Sequence, residues 1–424
     1  MKLEVRNTEI LSMEDENIKK GNIYIENDKI VDIGYLDNFV ADKIINGEDK
    51  VSMPGLINCH NHVGMTLFRN YADDMTLDKW LNEKIWPLED KLIAEDVYWA
   101  SMLSIAEMIS NGTTTFADMY YFEEEVVKAI EKTKIRAQLS RGLTNFEGEG
   151  YEKLEENIDY FKKYNNYLDG LITIGFGPHA VYTTDEEFLK EISKVAKKYN
   201  APIHIHLSET LKENKDSISK FGKTPTEIFN DANLLGEKTI AAHGIYLSDN
   251  DLKILKETNT SLVHCPISNL KLSSGFMDTK KVHNCGINLC LGTDSAASNN
   301  RQSILREMNV TSLVSRMNDE NALNSYEIIK MATINGAKAL GMDKEIGSLK
   351  KGKKADIILV DKKSINHTPN SNFFSNLVYS TSQNDILDVI INGEVVYENK
   401  KFLNFDIEEI KYNANKSFEK LKER

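Results

Sequence analysis

Histidines and acidic residues stand at the ends of several short apolar runs. His60 and His62, which end the run 55–62, are separated by one residue, so in a strand they point to the same face. Alone, this pair is equally well explained by two half-exposed histidines. His206 and Asp294 end two other runs and complete a set of three nitrogen donors and one oxygen donor. Zinc accepts these donors and keeps room for a water, so the set predicts a catalytic metal site.

The other histidines are compared with this set. Seven of the nine histidines lie within the apolar runs or at their ends. His204 shares a face with His206 and is the rival ligand, but it lies deeper, and we favour His206 with His204 packed or supporting it. His264 is interpreted as a core or supporting residue in preference to a catalytic one. His283 and His367 fall outside the pattern and are predicted to be on the surface.

Eight strand-like runs in the middle of the chain must position these side chains. The runs are 55–62, 113–119, 136–142, 171–180, 202–209, 239–246, 261–269 and 287–295. Helical patterns such as 94–111 and 185–199 lie between them. Eight such units predict a closed parallel barrel, in which reactive groups gather at the carboxyl ends of the strands.

The two chain ends have a different texture, with short strand-like pieces such as 22–26 and 356–360. Strands this short cannot bury themselves alone, so both ends are expected to form one small β domain. The predicted fold class is α/β, a (β/α)8 TIM-like barrel with a small composite β-sandwich domain built from both ends. The expected boundaries are 1–54 for the first part of the sandwich, 55–345 for the catalytic barrel, and 346–424 for the second part with a C-terminal helical segment.

Composition excludes several classes of protein. The 424 residues carry 52 basic and 65 acidic side chains, a net charge of −13, which disfavours a general nucleic-acid binder. The N-terminus lacks the apolar stretch of a signal peptide, and no window approaches the ~18 apolar residues of a membrane span. The four cysteines form no CxxC pair and are interpreted as free thiols. We therefore expect a cytoplasmic protein without membrane partners. The sequence does not decide whether the protein forms a homo-oligomer.

Three passages carry a family resemblance. PGLINCHNH (54–62) resembles the opening strand of the amidohydrolase superfamily, and LGTD (291–294) resembles its closing strand. GSLKKGKKAD (347–356) is similar to the passage by which such chains re-enter the composite β domain. The resemblance covers nearly the whole chain and implies the barrel fold described above.

Further passages resemble one subgroup, the 5'-methylthioadenosine/S-adenosylhomocysteine deaminases. They are IWPLE (85–89), SRGL (140–143), GPHA (177–180), HIHLSET (204–210), HCPISN (264–269) and TDSAASNN (293–300). These motifs do not separate that subgroup from the 5'-deoxyadenosine deaminases. Two departures concern substrate choice: Ser295 stands where the family usually has glycine, and Lys153 aligns with a second arginine of some relatives.

Site roles follow from the resemblance. It implies that the zinc ligands are His60, His62, His206 and Asp294. Glu209 and His243 become the acid–base and polarising residues, with Asp294 taking a proton from the attacking water. The implied substrate contacts are Glu89, Arg141, His179, Glu209 and Asp294, with Lys153 as a further candidate. Arg141 is expected at the end of the third strand, facing the site mouth, and Lys153 in the loop region after it.

The expected activity is hydrolytic deamination of the adenine ring of small adenosine-like nucleosides, giving the inosine analogue and ammonia. The candidate substrates are 5'-methylthioadenosine, S-adenosylhomocysteine, 5'-deoxyadenosine and adenosine. One Zn²⁺ per subunit is expected, with Fe²⁺ or Mn²⁺ as alternatives. The rival hypotheses are an aminohydrolase or chlorohydrolase of the guanine, cytosine or triazine type on the same scaffold, and a non-catalytic barrel that serves binding or assembly.

Overall fold

The computed structural model describes residues 1–146, 148–317, 320 and 322–424. The strands are β1 (Lys2–Leu11), β2 (Ile18–Glu26), β3 (Lys29–Gly34), β4 (Lys43–Asn46), β5 (Lys50–Pro54), β6 (Leu56–Asn61), β7 (Thr113–Tyr120), β8 (Arg136–Leu143), β9 (Ile172–Pro178), β10 (Ile203–Leu207), β11 (Thr239–His243), β12 (Ser261–His264), β13 (Leu289–Leu291), β14 (Ile357–Asp361), β15 (Ile386–Ile391), β16 (Glu394–Glu398) and β17 (Lys401–Phe402).

Helices fill most of the intervals between these strands. They are α1 (Leu77–Trp80), α2 (Trp86–Glu89), α3 (Ala94–Ser110), α4 (Glu123–Thr133), α5 (Gly150–Tyr164), α6 (Tyr167–Gly170), α7 (Glu186–Tyr199), α8 (Leu211–Phe221), α9 (Pro225–Asp231), α10 (Asp249–Thr258), α11 (Pro266–Lys271), α12 (Thr279–Asn284), α13 (Ala296–Asn299), α14 (Ile304–Ser315), α15 (Ser325–Met331), α16 (Ile334–Ala339), α17 (Phe373–Tyr379) and α18 (Ile407–Glu423). A 3₁₀ helix covers Val63–Phe68, and a π-helical turn, Leu81–Ile85, separates α1 from α2.

The barrel consists of β6 to β13, which are parallel and adjacent in chain order. Each of the eight predicted runs overlaps one of these strands, so the predicted barrel is confirmed. The last strand returns to the first: the N–H of Asp294 donates to the carbonyl of His60 at 3.0 Å, and the N–H of Thr293 donates to Oδ1 of Asn58 at 3.0 Å. Strands such as β7 are buried along their whole length, because helices cover the outer wall and side chains fill the inside.

Both chain ends meet in one continuous mixed sheet, in the order β17-β16-β15-β14-β5-β1-β2-β3, with β4 paired to β1. The join between the ends is the antiparallel pairing of β14 with β5. Side chains of one face, such as Leu3, Ile23 and Ile357, form a core of their own. Side chains such as Ile358 and Val389 instead join the barrel core. The composite β domain is therefore confirmed, while its boundaries at 54/55 and 345/346 stay a prediction.

Three features of the periphery complete the fold. The predicted C-terminal helical segment is α18, which begins after the capping residue Asp406 and packs against α3. The prediction of a surface position is confirmed for His283, which is exposed. It is wrong for His367, which is buried and whose Nε2 pairs with the Thr381 hydroxyl at 2.8 Å. Within the described ranges, every helix is too short or too polar to cross a bilayer.

Candidate active site

The predicted metal donors converge at the carboxyl ends of the barrel strands. His60 is on β6 and His62 directly follows it, His206 is on β10, and Asp294 follows β13. Nε2 of His62 lies 3.3 Å from Nε2 of His206 and 3.3 Å from Oδ1 of Asp294, and Nε2 of His60 lies 3.5 Å from the same Oδ1. Tetrahedral zinc with ligands at about 2.0–2.1 Å needs donors roughly 3.3 Å apart. The donor set therefore fits a zinc ion.

Hydrogen bonds behind the rings turn the free nitrogens toward this centre. Nδ1 of His206 donates to the carbonyl of His179 at 3.0 Å, and Nδ1 of His62 donates to the carbonyl of Met119. A carbonyl only accepts, so both rings carry a proton on Nδ1, and Nε2 is the nitrogen that each ring offers to a metal. Such outer bonds orient metal-binding histidines in general.

His60 and His204 form a pair inside the barrel. Nδ1 of His60 and Nε2 of His204 share a hydrogen bond of 2.7 Å. Nε2 of His60 is fully buried and has no hydrogen-bond partner among the described residues. Burial lowers the pKa of His60 to about 4, so its imidazole is neutral, as a metal ligand must be. The structure thus places His204 behind His60 and His206 at the centre.

Asp294 is fixed by its surroundings in a turn. Its φ is +59°, a left-handed conformation that aspartate tolerates better than most residues. The backbone N–H of Ser295 donates to Oδ1 at 2.7 Å, and the hydroxyl of Ser268 donates to Oδ2 at 2.6 Å. Ser268 has no role in our sequence analysis, although it lies in the quoted motif HCPISN, which could have drawn attention to it.

Glu209 and His243 lie beside the metal donors. Nδ1 of His243 donates to Oδ1 of Asn269 at 2.8 Å, and its Nε2 lies 3.7 Å from Oε2 of Glu209. The hydroxyl of Ser274 donates to Oε1 of Glu209 at 3.1 Å. Burial raises the pKa of Glu209, which lets this carboxyl group hold a proton and deliver it. Asn269 and Ser274 are supporting residues that the sequence analysis did not identify.

A cavity with about 630 Å³ of empty space lies next to these residues. Its polar lining includes His62, His206, Glu209, His243 and Asp294. The segment 77–89 covers it and contributes Leu77, Trp80, Leu81, Ile85, Trp86 and Glu89 to its walls. A cover of apolar side chains above a polar floor excludes water and orients a small ligand.

Glu89 and His179 both line this cavity, as predicted for substrate contacts. Glu89 accepts a hydrogen bond from the hydroxyl of Tyr120 at 2.7 Å, and burial raises its pKa to about 7. His179 pairs through Nδ1 with the hydroxyl of Thr183 at 3.0 Å, and its ring centre lies 4.6 Å from that of His206. Their position beside the metal donors allows both to contact a bound molecule.

The structure does not bring Arg141 to the cavity, contrary to the expectation that it faces the site mouth. Alternate residues of a strand point to opposite faces, and on β8 it is Gly142 that lines the cavity. Arg141 points outward, where Nε donates to Oε2 of Glu156 at 2.9 Å. Its guanidinium carbon lies 4.9 Å from the ring centre of Tyr121, and that ring lines the cavity in its place.

Lys153 also differs from its predicted position in a loop. It lies in the first turn of α5, where its ammonium pairs with Glu149 at 2.9 Å and donates to the hydroxyl of Thr144 at 3.0 Å. Lys153 is not among the described residues that line the cavity. Neither predicted cation for a carboxylate tail therefore reaches the site in this structure.

Comparisons with known proteins identify the family of this chain. Residues 51–396 match the model of the amidohydrolase family. A 5-methylthioadenosine/S-adenosylhomocysteine deaminase of Caldanaerobacter subterraneus subsp. tengcongensis is 43% identical over 427 residues, covering 99% of each chain. A 5'-deoxyadenosine deaminase of Methanobrevibacter smithii is 41% identical, covering 99% of this chain and 98% of its own length.

Solved structures with the same fold contain zinc. An adenosine deaminase from Xanthomonas campestris with bound zinc has a TM-score of 0.95 at 29% identity, with 100% of this chain and 99% of that chain covered. A zinc complex of atrazine chlorohydrolase from Arthrobacter aurescens has a TM-score of 0.92 at 21% identity, covering 98% of this chain and 100% of its own. The second likeness concerns the fold alone.

Proposed function

The chain belongs to the amidohydrolase family, and we propose that it is a zinc-dependent deaminase that hydrolyses the amino group from the adenine ring of adenosine-like nucleosides. The proposed substrates are 5'-methylthioadenosine, S-adenosylhomocysteine, 5'-deoxyadenosine and adenosine, and the products are the inosine analogue and ammonia. One observation carries the proposal: three of the four metal donors line a single cavity together with Glu209 and His243, and the fourth donor, His60, is buried 3.5 Å from Oδ1 of Asp294. The names of the full-length relatives support the substrate class.

The proposed cofactor is one zinc ion per subunit, held by His60, His62, His206 and Asp294. The donor spacing of 3.3–3.5 Å and the set of three imidazole nitrogens with one carboxylate oxygen support zinc, although Fe²⁺ and Mn²⁺ accept similar donors. When bound, zinc lowers the pKa of its water to about 7, so that a strong nucleophile is available near neutral pH.

The protein side chains move the protons of the reaction. Asp294 accepts the proton of the attacking water, and Nε2 of His243 holds that water by a hydrogen bond. Glu209 donates a proton to the ring nitrogen beside the attacked carbon, which makes the carbon electrophilic. Asp294 then passes the water proton to the exocyclic nitrogen, which leaves as ammonia. The remaining hydroxyl proton returns to Glu209 as the water oxygen becomes the ring carbonyl.

Glu89 and His179 are proposed to hold the ribose. A carboxylate accepts two hydrogen bonds and therefore suits the 2' and 3' hydroxyls of a ribose. Glu89 has only one such bond in the described structure, from Tyr120, so an oxygen stays free for a ligand. This assignment leaves the adenine ring next to Glu209 and the metal donors.

The rival reactions on this scaffold are deamination of guanine or cytosine and hydrolysis of triazines. Ammonia and chloride release should be measured from a panel of adenosines, guanine, cytosine and atrazine with zinc-loaded protein. We expect adenosines to give the highest kcat/KM by at least two orders of magnitude. A higher kcat/KM for another ring class would refute the proposed substrate class, and full metal binding without any turnover would support the non-catalytic hypothesis.

A further inference from the structure

A second and larger groove opens beside the cavity, between the segment 76–86 and helix α8. It contains about 1640 Å³ of empty space. Five of its lining residues also line the cavity, namely Leu77, Leu81, Trp86, Tyr182 and Leu272. The two spaces therefore adjoin along these five side chains, and a molecule bound in the cavity would pass between them to enter the groove.

The boundary between the two spaces lies next to the proposed ribose contacts. Trp86 begins the helical turn that Glu89 ends, and the ring of Tyr182 packs edge-on against that of His179 with centres 5.9 Å apart. With the adenine ring at Glu209, the ribose lies between this ring and the boundary. Trp86 and Tyr182 line both spaces, so a substituent on the 5' carbon that extended past them would enter the groove.

Apolar side chains form much of the groove wall. Leu77 and Leu81 stand on one side, and Leu211 and Phe221, at the two ends of α8, stand on the other. Leu211 and Phe221 are 48% and 47% exposed, although side chains of this kind are usually buried. A hydrocarbon or thioether chain would cover them and gain the hydrophobic free energy of that burial.

The charges of the groove do not favour a carboxylate. The described lining of the cavity contains no lysine or arginine, and the groove contains Lys212 and Lys220. Lys212 is paired with Asp216 at 2.9 Å, and the ammonium of Lys220 lies 4.8 Å from the ring centre of Phe221. The acidic residues of the groove outnumber the two lysines, since Asp78, Glu213 and Asp216 all line it.

We propose that this groove is a subsite for an uncharged, apolar 5' substituent, so that 5'-alkylthioadenosines are better substrates than nucleosides whose 5' tail ends in a carboxylate. The proposal rests on the proposed deaminase function and names its preferred substrate class. It makes Leu77, Leu81, Leu211 and Phe221 specificity-determining residues.

The test is a series of 5'-alkylthioadenosines from methyl to butyl, with adenosine as reference and S-adenosylhomocysteine as the charged tail of similar length. Each added methylene that is buried should raise kcat/KM about fourfold. The butylthio substrate should exceed S-adenosylhomocysteine. A flat series with normal adenosine turnover would overturn the groove proposal alone, whereas no turnover of any adenosine would overturn the proposed function.

A charge variant sharpens this test. Leu211→Lys places a cation at the exposed first residue of α8 and should shift the kcat/KM ratio of S-adenosylhomocysteine to the butylthio substrate by roughly two- to fivefold, the effect of an exposed ion pair. Leu313→Lys, at an exposed leucine of α14 that lines neither space, is the matched control and should leave the ratio unchanged. An equal shift in both variants would contradict the proposal.

A different observation concerns how Glu209 is held. At the start of α9, Thr224 and Glu227 form a reciprocal pair, in which Oε2 of Glu227 accepts from the backbone N–H of the capping Thr224 at 2.9 Å. At the start of α8, the carboxylate of Glu213 reaches past the capping residue Thr210 to the residue before it. Its Oε2 accepts from the backbone N–H of Glu209 at 2.7 Å.

We infer that Glu213 is a positioning residue for Glu209. Its side chain is buried, with 7% of the residue exposed, whereas Glu227 is partly exposed. The segment it holds needs a tether, because Ser208 before Glu209 has a φ of +48°, a conformation that residues with a side chain rarely adopt. The bond to Glu213 thus fixes the backbone from which the proposed proton donor projects.

Conservative variants test this inference without removing the side chain. Glu213→Gln keeps an oxygen that accepts from Glu209 and should therefore retain far more kcat than a shorter side chain. Glu213→Asp is one methylene too short and should lower kcat about 10- to 100-fold, with KM and metal content little changed. Glu227→Asp is the control and should leave kcat unchanged. Wild-type kcat in Glu213→Asp would overturn the inference.

Discussion

Two clusters of titratable side chains lie close together in the barrel, one largely buried at the cavity and one only partly buried around Arg141. The inner cluster consists of His60, His62, His206, Asp294 and Glu209, and the outer cluster consists of Arg141, Glu123, Glu156, Tyr121 and Tyr160. Both perturb pKa values, since burial raises the pKa of Glu209 and raises that of Glu123 to about 8. A shifted pKa is therefore a property of both clusters and does not by itself identify a site.

The clusters differ in what they face. In the inner cluster, His62 and His206 bond through Nδ1 to carbonyls and turn Nε2 toward a cavity. In the outer cluster, Arg141 pairs with Glu156, and the ring of Tyr121 lies between its guanidinium and the cavity. Donors that converge on accessible space indicate chemistry, whereas charges that neutralise each other behind the wall indicate stability.

The largest effect should come from the inner cluster. His206→Ala removes one metal donor and should reduce both bound zinc and activity to a small fraction of the wild type, as elemental analysis and ammonia release would measure. His283→Ala, at an exposed histidine, should change neither. Full metal content in His206→Ala would contradict the proposed ligand set.

Glu209→Gln separates chemistry from metal binding. The amide keeps the shape of the side chain but cannot deliver the proton, so kcat should fall by roughly 10²–10⁴ while zinc content stays near one per chain. Steady-state kinetics and elemental analysis on the same preparation provide the measurement. Nearly normal kcat would show that Glu209 takes no part in proton transfer.

The outer cluster should respond in stability and not in substrate choice. Arg141→Ala leaves Glu123 and Glu156 without their cation and should cost about 1–3 kcal/mol of unfolding free energy in denaturant titrations. Because Arg141 does not reach the cavity, kcat/KM for S-adenosylhomocysteine and for 5'-deoxyadenosine should change by the same factor. A loss confined to S-adenosylhomocysteine would restore Arg141 as a contact of its carboxylate tail.

The narrowest effect is expected at Glu123, where only the pH dependence of stability should change. Burial raises its pKa from 4.5 to about 8, so its contribution to stability is present below pH 4.5 and is lost as the pH rises toward 8. Glu123→Gln removes this titration and should therefore gain stability relative to the wild type between pH 5 and pH 8.5, with unchanged kcat/KM. Glu152→Gln, on the exposed face of α5, should show no such trend in thermal unfolding.

Much of the site was predictable because strand ends and the types of metal-donor residues can be recognised from short stretches of sequence. His60 and His62 on one strand face, and His206 and Asp294 at other strand ends, required only the barrel to bring them together. The barrel itself followed from eight apolar runs with helical patterns between them. The join of the chain ends followed from strands too short to bury themselves.

Other features depend on contacts between segments far apart in the chain. The outward direction of Arg141 follows from the register of β8, which a one-residue shift would reverse. The roles of Ser268, Asn269 and Ser274 depend on how the segment after β12, which includes α11, folds back onto the site. There these residues contact Asp294, His243 and Glu209, respectively. His367 is buried because of a partner fourteen residues away, Thr381.

One measurement tests the central claim most directly. Metal-depleted and zinc-reloaded protein should be incubated with 5'-deoxyadenosine in ¹⁸O-labelled water. The mass of the product should be measured by mass spectrometry, and the amount of ammonia released should be quantified in the same reaction. We predict that the reloaded protein releases one ammonia per product and that each product ring contains one ¹⁸O atom. The metal-depleted protein should release none. Product without the label, or equal turnover without metal, would contradict the account.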